Sequence, residues 1–100
     1  MIKAAFMFIA AGGDPSKHDV KLEAGDVELR VVGVKSYAEA EEQARKLAHA
    51  GVGAIELCAG FGHAGVARVA QAAGPGVHVG IVRFDLHPGL GNKSGDEFFA

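Results

Sequence analysis

The chain has 100 residues, a hydrophobic share of 49% and a formal net charge of −2. This length makes a single domain, residues 1–100, and this hydrophobicity excludes a disordered chain. The charge leaves no basic field, which argues against a nucleic-acid partner. No apolar run approaches the roughly 18 residues of a membrane span. The single cysteine cannot close an intramolecular disulfide, which suits a reducing cytoplasm. Glycine (15) and alanine (18) make up a third of the chain. Small residues bury little area each, so a self-associating protein, a homo-oligomer, is expected.

Ile2 to Ala10 is continuously apolar and bounded by glycines, as a strand buried on both faces would be. A signal peptide fits less well: the only basic residue is Lys3, and the run leads into Gly12-Gly13-Asp14-Pro15. Asp14-Pro15 pairs an N-cap acceptor with proline at the first helical position, predicting a short helix from Pro15 to Ala24. Val27 to Val34 follows as a strand whose Glu28 and Arg30 alternate with apolar residues, the pattern of an edge.

The strongest helical signal spans Ser36 to Ala50. Ser36 and Glu39 form an S-x-x-E capping box, and Tyr37, Ala40, Ala44, Leu47 and Ala48 share one face. Glu41–Arg45 and Glu42–Lys46 are spaced i,i+4, and Gly51 stands at the C′ position. Val52 to Cys58 reads as a strand. His63 to Ala73 reads as a helix with Val66, Val69, Ala70 and Ala73 on one face. Gly74-Pro75-Gly76 ends it, Val77 to Phe84 is a further strand, and residues 86–100 form a Gly-rich tail.

The resulting β-α-β-α-β-α-β order predicts an α/β fold with a small parallel four-stranded sheet and right-handed crossovers. The burial pattern favours the flavodoxin-like order 2-1-3-4, with a half-barrel completed by a second subunit as the alternative. In an open α/β sheet, ligands bind beyond the carboxyl ends of the strands, where the chain leaves in opposite directions. That crevice would be lined by Gly12, Gly13 and Asp14 from one loop and by Gly60, Phe61, Gly62 and His63 from another.

Gly60-Phe61-Gly62-His63-Ala64-Gly65 matches G-x-G-x-x-G between a strand and a helix. Helix N-terminal N–H groups attract anions, so a small anionic ligand is a candidate occupant. A tight glycine turn explains the same residues structurally. A dinucleotide fits poorly because the motif follows the third strand rather than the first, although Asp85 lies 20 residues past Gly65. Cys58, before a helix N-terminus, is a candidate nucleophile with His63 or His87 as base; the plainer reading is a small buried hydrophobe. Arg83, Asp85 and His87 alternate at the end of the last strand. Arg83 suits a carboxylate or phosphate, and Asp85 suits the orientation of His87; a structural ion pair holding the tail is the alternative. Glu56 within a central strand needs a partner, and Arg83 is the candidate.

His18, His63, His87 and Cys58 lack the spacing of metal ligands, so neither a metal nor another cofactor is expected. Gly91-Asn92-Lys93-Ser94 has no following helix and is not a P-loop. The tail is expected to fold over a site or to dock Phe98 and Phe99 on a neighbouring subunit.

Four segments carry a resemblance: Val32-Gly33-Val34-Lys35, Gly53 to Cys58, Gly60-Phe61-Gly62-His63, and Val82 to Gly89. Together they resemble a family of small uncharacterised bacterial and archaeal proteins, a domain of unknown function, over nearly the whole chain. The resemblance implies no activity. The residues therefore point to a domain that binds a small anionic molecule, with its site at the carboxyl edge of the sheet. Two alternatives stand beside it: a small enzyme using Cys58, His63 or His87, and a non-catalytic oligomeric interaction module.

Overall fold

The computed structural model describes all 100 residues. Five strands and two helices follow in the order β1 (Ile2–Ile9), β2 (Asp19–Ala24), β3 (Val27–Val34), α1 (Tyr37–His49), β4 (Ala54–Leu57), α2 (His63–Ala73) and β5 (His78–Ile81). Two short 3₁₀ turns, Pro88–Leu90 and Gly95–Glu97, shape the tail. The fold is α/β with one mixed sheet, ordered β2-β3-β1-β4-β5. Four strands run parallel, β3-β1-β4-β5, and β2 pairs antiparallel to β3.

The edge strand β2 replaces the helix expected over Pro15 to Ala24. Asp14 does start a turn: the N–H groups of Lys17 and His18 both donate to its carbonyl, at 3.0 and 2.7 Å. One turn is all that forms. From Asp19 onward the sequence has period two, with Val20, Leu22 and Ala24 facing one way and Lys21 and Glu23 the other. Gly25, at φ +60, supplies the left-handed residue that a tight hairpin to β3 requires. Hence β1 and β3 lie parallel without an intervening helix. The last strand is also shorter than the expected Val77 to Phe84, closing at Ile81.

α1 forms where the sequence places it. The Ser36 side chain accepts from the Glu39 N–H at 3.2 Å, while Glu39 reaches back to the N–H of Lys35 at 2.9 Å. Tyr37, Ala40, Ala44 and Leu47 are buried. Glu42 pairs with Lys46 at 3.3 Å, but Glu41 turns away from Arg45 to take a two-pronged bond from Arg68 of α2. In α2 the buried residues are Gly65, Val69 and Ala73, with Ala70 exposed.

Both helices cover the same face of the sheet. Ala5, Met7 and Ile9 of β1, Val32 and Val34 of β3, and Ile55 and Leu57 of β4 join the inner faces of α1 and α2 in one core of 16 buried hydrophobic residues. The opposite sheet face carries no helix. Residues 86–100 fold back over the carboxyl edge of the sheet, where the Phe99 carbonyl accepts from the Tyr37 N–H at 3.0 Å. Phe99 is buried in this chain's own core, so it is not the residue that docks on a neighbouring subunit; Phe98 is 53% exposed. No helix is long and apolar enough to cross a membrane.

Candidate functional site

Beyond the carboxyl ends of β1 and β4 the chain departs in opposite directions, toward the β2–β3 hairpin from β1 and toward β5 from β4. A cavity of about 430 Å³ opens there. Its walls are Ile9, Ala10 and Ala11 after β1, Cys58 and Gly60 after β4, and His87, Gly89, Leu90, Phe98 and Phe99 from the tail. Two sequence-predicted residues with reactive side chains, Cys58 and His87, thus line one cavity, together with Gly60.

Cys58 is half-buried, and its Sγ accepts from the N–H groups of Ile9 and Gly60, both at 3.4 Å. The thiol is thereby fixed against the ends of both central strands. His87 caps the Pro88–Leu90 turn, its Nδ1 accepting from the Gly89 N–H at 2.9 Å. With Nδ1 used as an acceptor, a neutral ring carries its proton on Nε2. Phe84 packs on the same ring at 5.2 Å between centroids.

The G-x-G-x-x-G segment does begin α2, but an internal carboxylate occupies the helix N-terminus. Asp96 accepts from the N–H groups of Ala64 (3.1 Å) and Gly65 (3.4 Å) and from the Tyr37 hydroxyl (2.7 Å). The Tyr37 oxygen in turn accepts from the Gly62 N–H at 2.9 Å. The anion that a helix N-terminus attracts is thus the chain's own tail. A Cβ on Gly62 would collide with this carboxylate. Phe61 is fully buried and stacks on Tyr37 at 5.8 Å, so it is a core residue and not a ligand contact.

Burial raises the pKa of Asp96, but the Ala64 N–H, the Tyr37 hydroxyl, the Gly65 N–H and the charge of His63 outweigh it and leave the carboxyl below its ordinary value. Tyr37 is pushed up to about 12, chiefly by burial and against the pull of the Gly62 N–H, with the Asp96 carboxylate adding to the rise.

The remaining expected residues lie elsewhere. Arg83 donates twice to one oxygen of Asp85, at 2.9 and 2.8 Å, and His63 stands 3.8 Å from that oxygen. Asp85 and His63 are largely exposed, outside the cavity, and Arg83 binds Asp85 rather than Glu56. Gly12 is exposed, whereas Gly13 is packed against the Val34 backbone. Asp14 binds the N–H and hydroxyl of Ser16, which hold its carboxyl below the ordinary value. It belongs to a second, polar groove of about 410 Å³ between the hairpin and α1, with Asp19, Arg30, Glu42 and Lys46. Arg30 pairs with Asp19 across the hairpin. His18 is tied by Nδ1 to the Asp14 N–H at 3.0 Å. Nowhere do three His, Cys, Asp or Glu side chains converge as metal ligands.

Sequence reasoning missed Tyr37 and Asp96, which lock the tail to α2, and Leu90, which walls the cavity. A lone acid 33 residues past the start of the helix it caps leaves no local signal. A family model matches residues 2–97, that of a family of unknown function, DUF6506. The chain belongs to DUF6506. No curated protein and no solved structure matches it. Within this DUF6506 member, nearly all of the cavity lining falls inside the matched residues, with Phe98 and Phe99 just beyond them.

Proposed function

We propose that this chain binds a small, largely apolar molecule bearing one hydrogen-bond acceptor, such as a carboxylate, in the cavity at the carboxyl edge of the sheet. The carrying observation is the cavity itself. Its volume, about 430 Å³, lies within the range of small-molecule sites, and its walls are apolar apart from Cys58, His87 and backbone groups. The Nε2–H of His87 makes no hydrogen bond within the chain, which leaves it to meet an acceptor on the ligand. Phosphate suits the site less well, because Asp96 already takes the N–H groups of α2. The reading places the protein in the cytoplasm, where its one thiol stays reduced.

The test uses octanoate as probe, with octanol and inorganic phosphate as comparisons. Octanoate should slow alkylation of Cys58 and raise the melting temperature, and His87→Ala should weaken both effects. Phosphate should do neither. Equal, absent protection by all three, with no co-purified small molecule in native mass spectrometry, overturns the reading.

A second reading is a small enzyme with Cys58 as nucleophile and His87 as base. It is favoured by the presence of both side chains on one cavity. Iodoacetamide kinetics separate the two readings. A rate equal to that of the unfolded chain at neutral pH removes the enzyme reading and leaves the binding reading standing.

A further inference from the structure

The sheet face opposite α1 and α2 carries no helix, and over β1, β2 and β3 it is apolar apart from the His18 ring, which lies 6.1 Å from that of Phe8. Strand register sets its membership. In β1 it holds Phe6 and Phe8, in β3 Leu29 and Val31, and in β2 Val20 and Leu22, which pair directly with Val31 and Leu29. Val20 and Leu22 are each 54% exposed.

The hairpin's alternation sharpens the point. All its strand charges (Asp19, Lys21, Glu23, Glu28 and Arg30) point to the helix side of the sheet, where the polar groove lies. Its apolar residues point to the side without helices. The charged side is open to water, every β2 residue being exposed, so in a monomer the apolar side would be wet as well, whereas an antiparallel sheet ordinarily packs its apolar side. The only titratable strand residues on the open face are Glu56 and His78, at the β4–β5 end, away from the hairpin.

We propose that this open face is the interface of a homodimer, in which the sheets of two copies of this chain stack face to face. The area supports it. At about 4.8 Å between strands and about 3.3 Å per residue, the whole five-stranded face offers roughly 500 Å² of flat area per copy, of which roughly 350 Å² is the apolar part on β1, β2 and β3. Two copies together reach about 1,000 Å², the lower limit of a specific interface, before side-chain relief is added. The chemistry fits a second copy in particular. An isologous interface sets a patch against itself, so a charged centre would repel its twin. Here the strand residues of β1 and β3 on this face are uncharged, with Glu56 beside Phe6 and His18 over Phe8 at the margins. Two stacked sheets about 10 Å apart would bury the β1, β2 and β3 side chains together. The resulting assembly is a stack of open sheets, in place of a barrel closed by a second subunit.

Sedimentation equilibrium of the full chain tests this directly. The wild type should sediment at twice the 10.3 kDa chain mass. Leu22→Asp and Val20→Asp change positions already half exposed in one chain, so the fold persists, as circular dichroism will verify. Each should weaken association at least tenfold. Ala67→Asp, on the exposed side of α2, should leave association unchanged. A wild-type monomer at about 100 μM overturns the proposal, because so weak a pairing falls short of a specific interface. A dimer indifferent to both β2 variants, or weakened equally by Ala67→Asp, also overturns it. So does a species made of one chain and a different protein, which would assign the face to another partner.

Discussion

Asp96 accepts three hydrogen bonds, from Tyr37, Ala64 and Gly65, and its folded pKa lies below the ordinary value. A depressed carboxyl pKa contributes stability that is present above the unfolded pKa, about 3.9, and is lost as pH falls through the folded one. Asp96→Asn should therefore cost about 1–2 kcal/mol at pH 7 in urea unfolding, and the gap to wild type should narrow below pH 4. Tyr37 has the opposite sign. Its pKa is raised to about 12, so its contribution is whole below about pH 10 and is lost as pH rises through 12. Tyr37→Phe should remove that alkaline loss while lowering stability at pH 7. Gly65 sets two rules against each other. Alanine in a helix is favoured over glycine by about 1 kcal/mol. Yet a Cβ at Gly65 would sit 2.5 Å from the Tyr37 ring, which Phe61 and Asp96 hold in place. Overpacking of about 1–3 kcal/mol should win, and Gly65→Ala should lower the urea midpoint.

At the scale of elements, the tail is part of the domain. Phe99 is buried, its ring 6.5 Å from Tyr37, and its carbonyl caps the start of α1. Phe99→Ala should cost about 3–5 kcal/mol, and Phe98→Ala about 1 kcal/mol or less, compared by denaturant midpoint. Equal effects would mean that the tail is not packed this way. The double Phe was legible as a docking element, but which phenylalanine docks, and on what, depended on where the chain turns. The same holds elsewhere. α1 was readable because its cap, periodicity and C-terminal glycine agree with one another. At β2 two signals conflicted: Asp14-Pro15 announces a helix, while Val20-Lys21-Leu22-Glu23 alternates like a strand. The local turn satisfied the first signal within four residues, and pairing with β3 decided the rest. The cavity at the carboxyl edge, the candidate site, was legible in outline, in that Cys58, Gly60 and His87 line it. Asp96 was not, because its role arises only when the tail reaches the start of α2.

For the whole molecule, the open sheet face links association to stability. A domain of this size buries only about two thirds of its unfolded surface, and here all of that core lies on one side of the sheet. If two copies cover the other side, unfolding separates them, and mass action ties the melting temperature to chain concentration. A tenfold rise in concentration adds about 1.4 kcal/mol per dimer, hence about 0.7 kcal/mol per chain. For a chain of this length, that corresponds to an increase of roughly 3 °C or more. Calorimetry across a hundredfold concentration range should therefore show a steady rise for wild type. Leu22→Asp, which places a charge on the stacked face, should flatten it, whereas Ala67→Asp should preserve the slope. A flat wild-type series would mean that the chain unfolds alone and that the apolar face is open to water in solution.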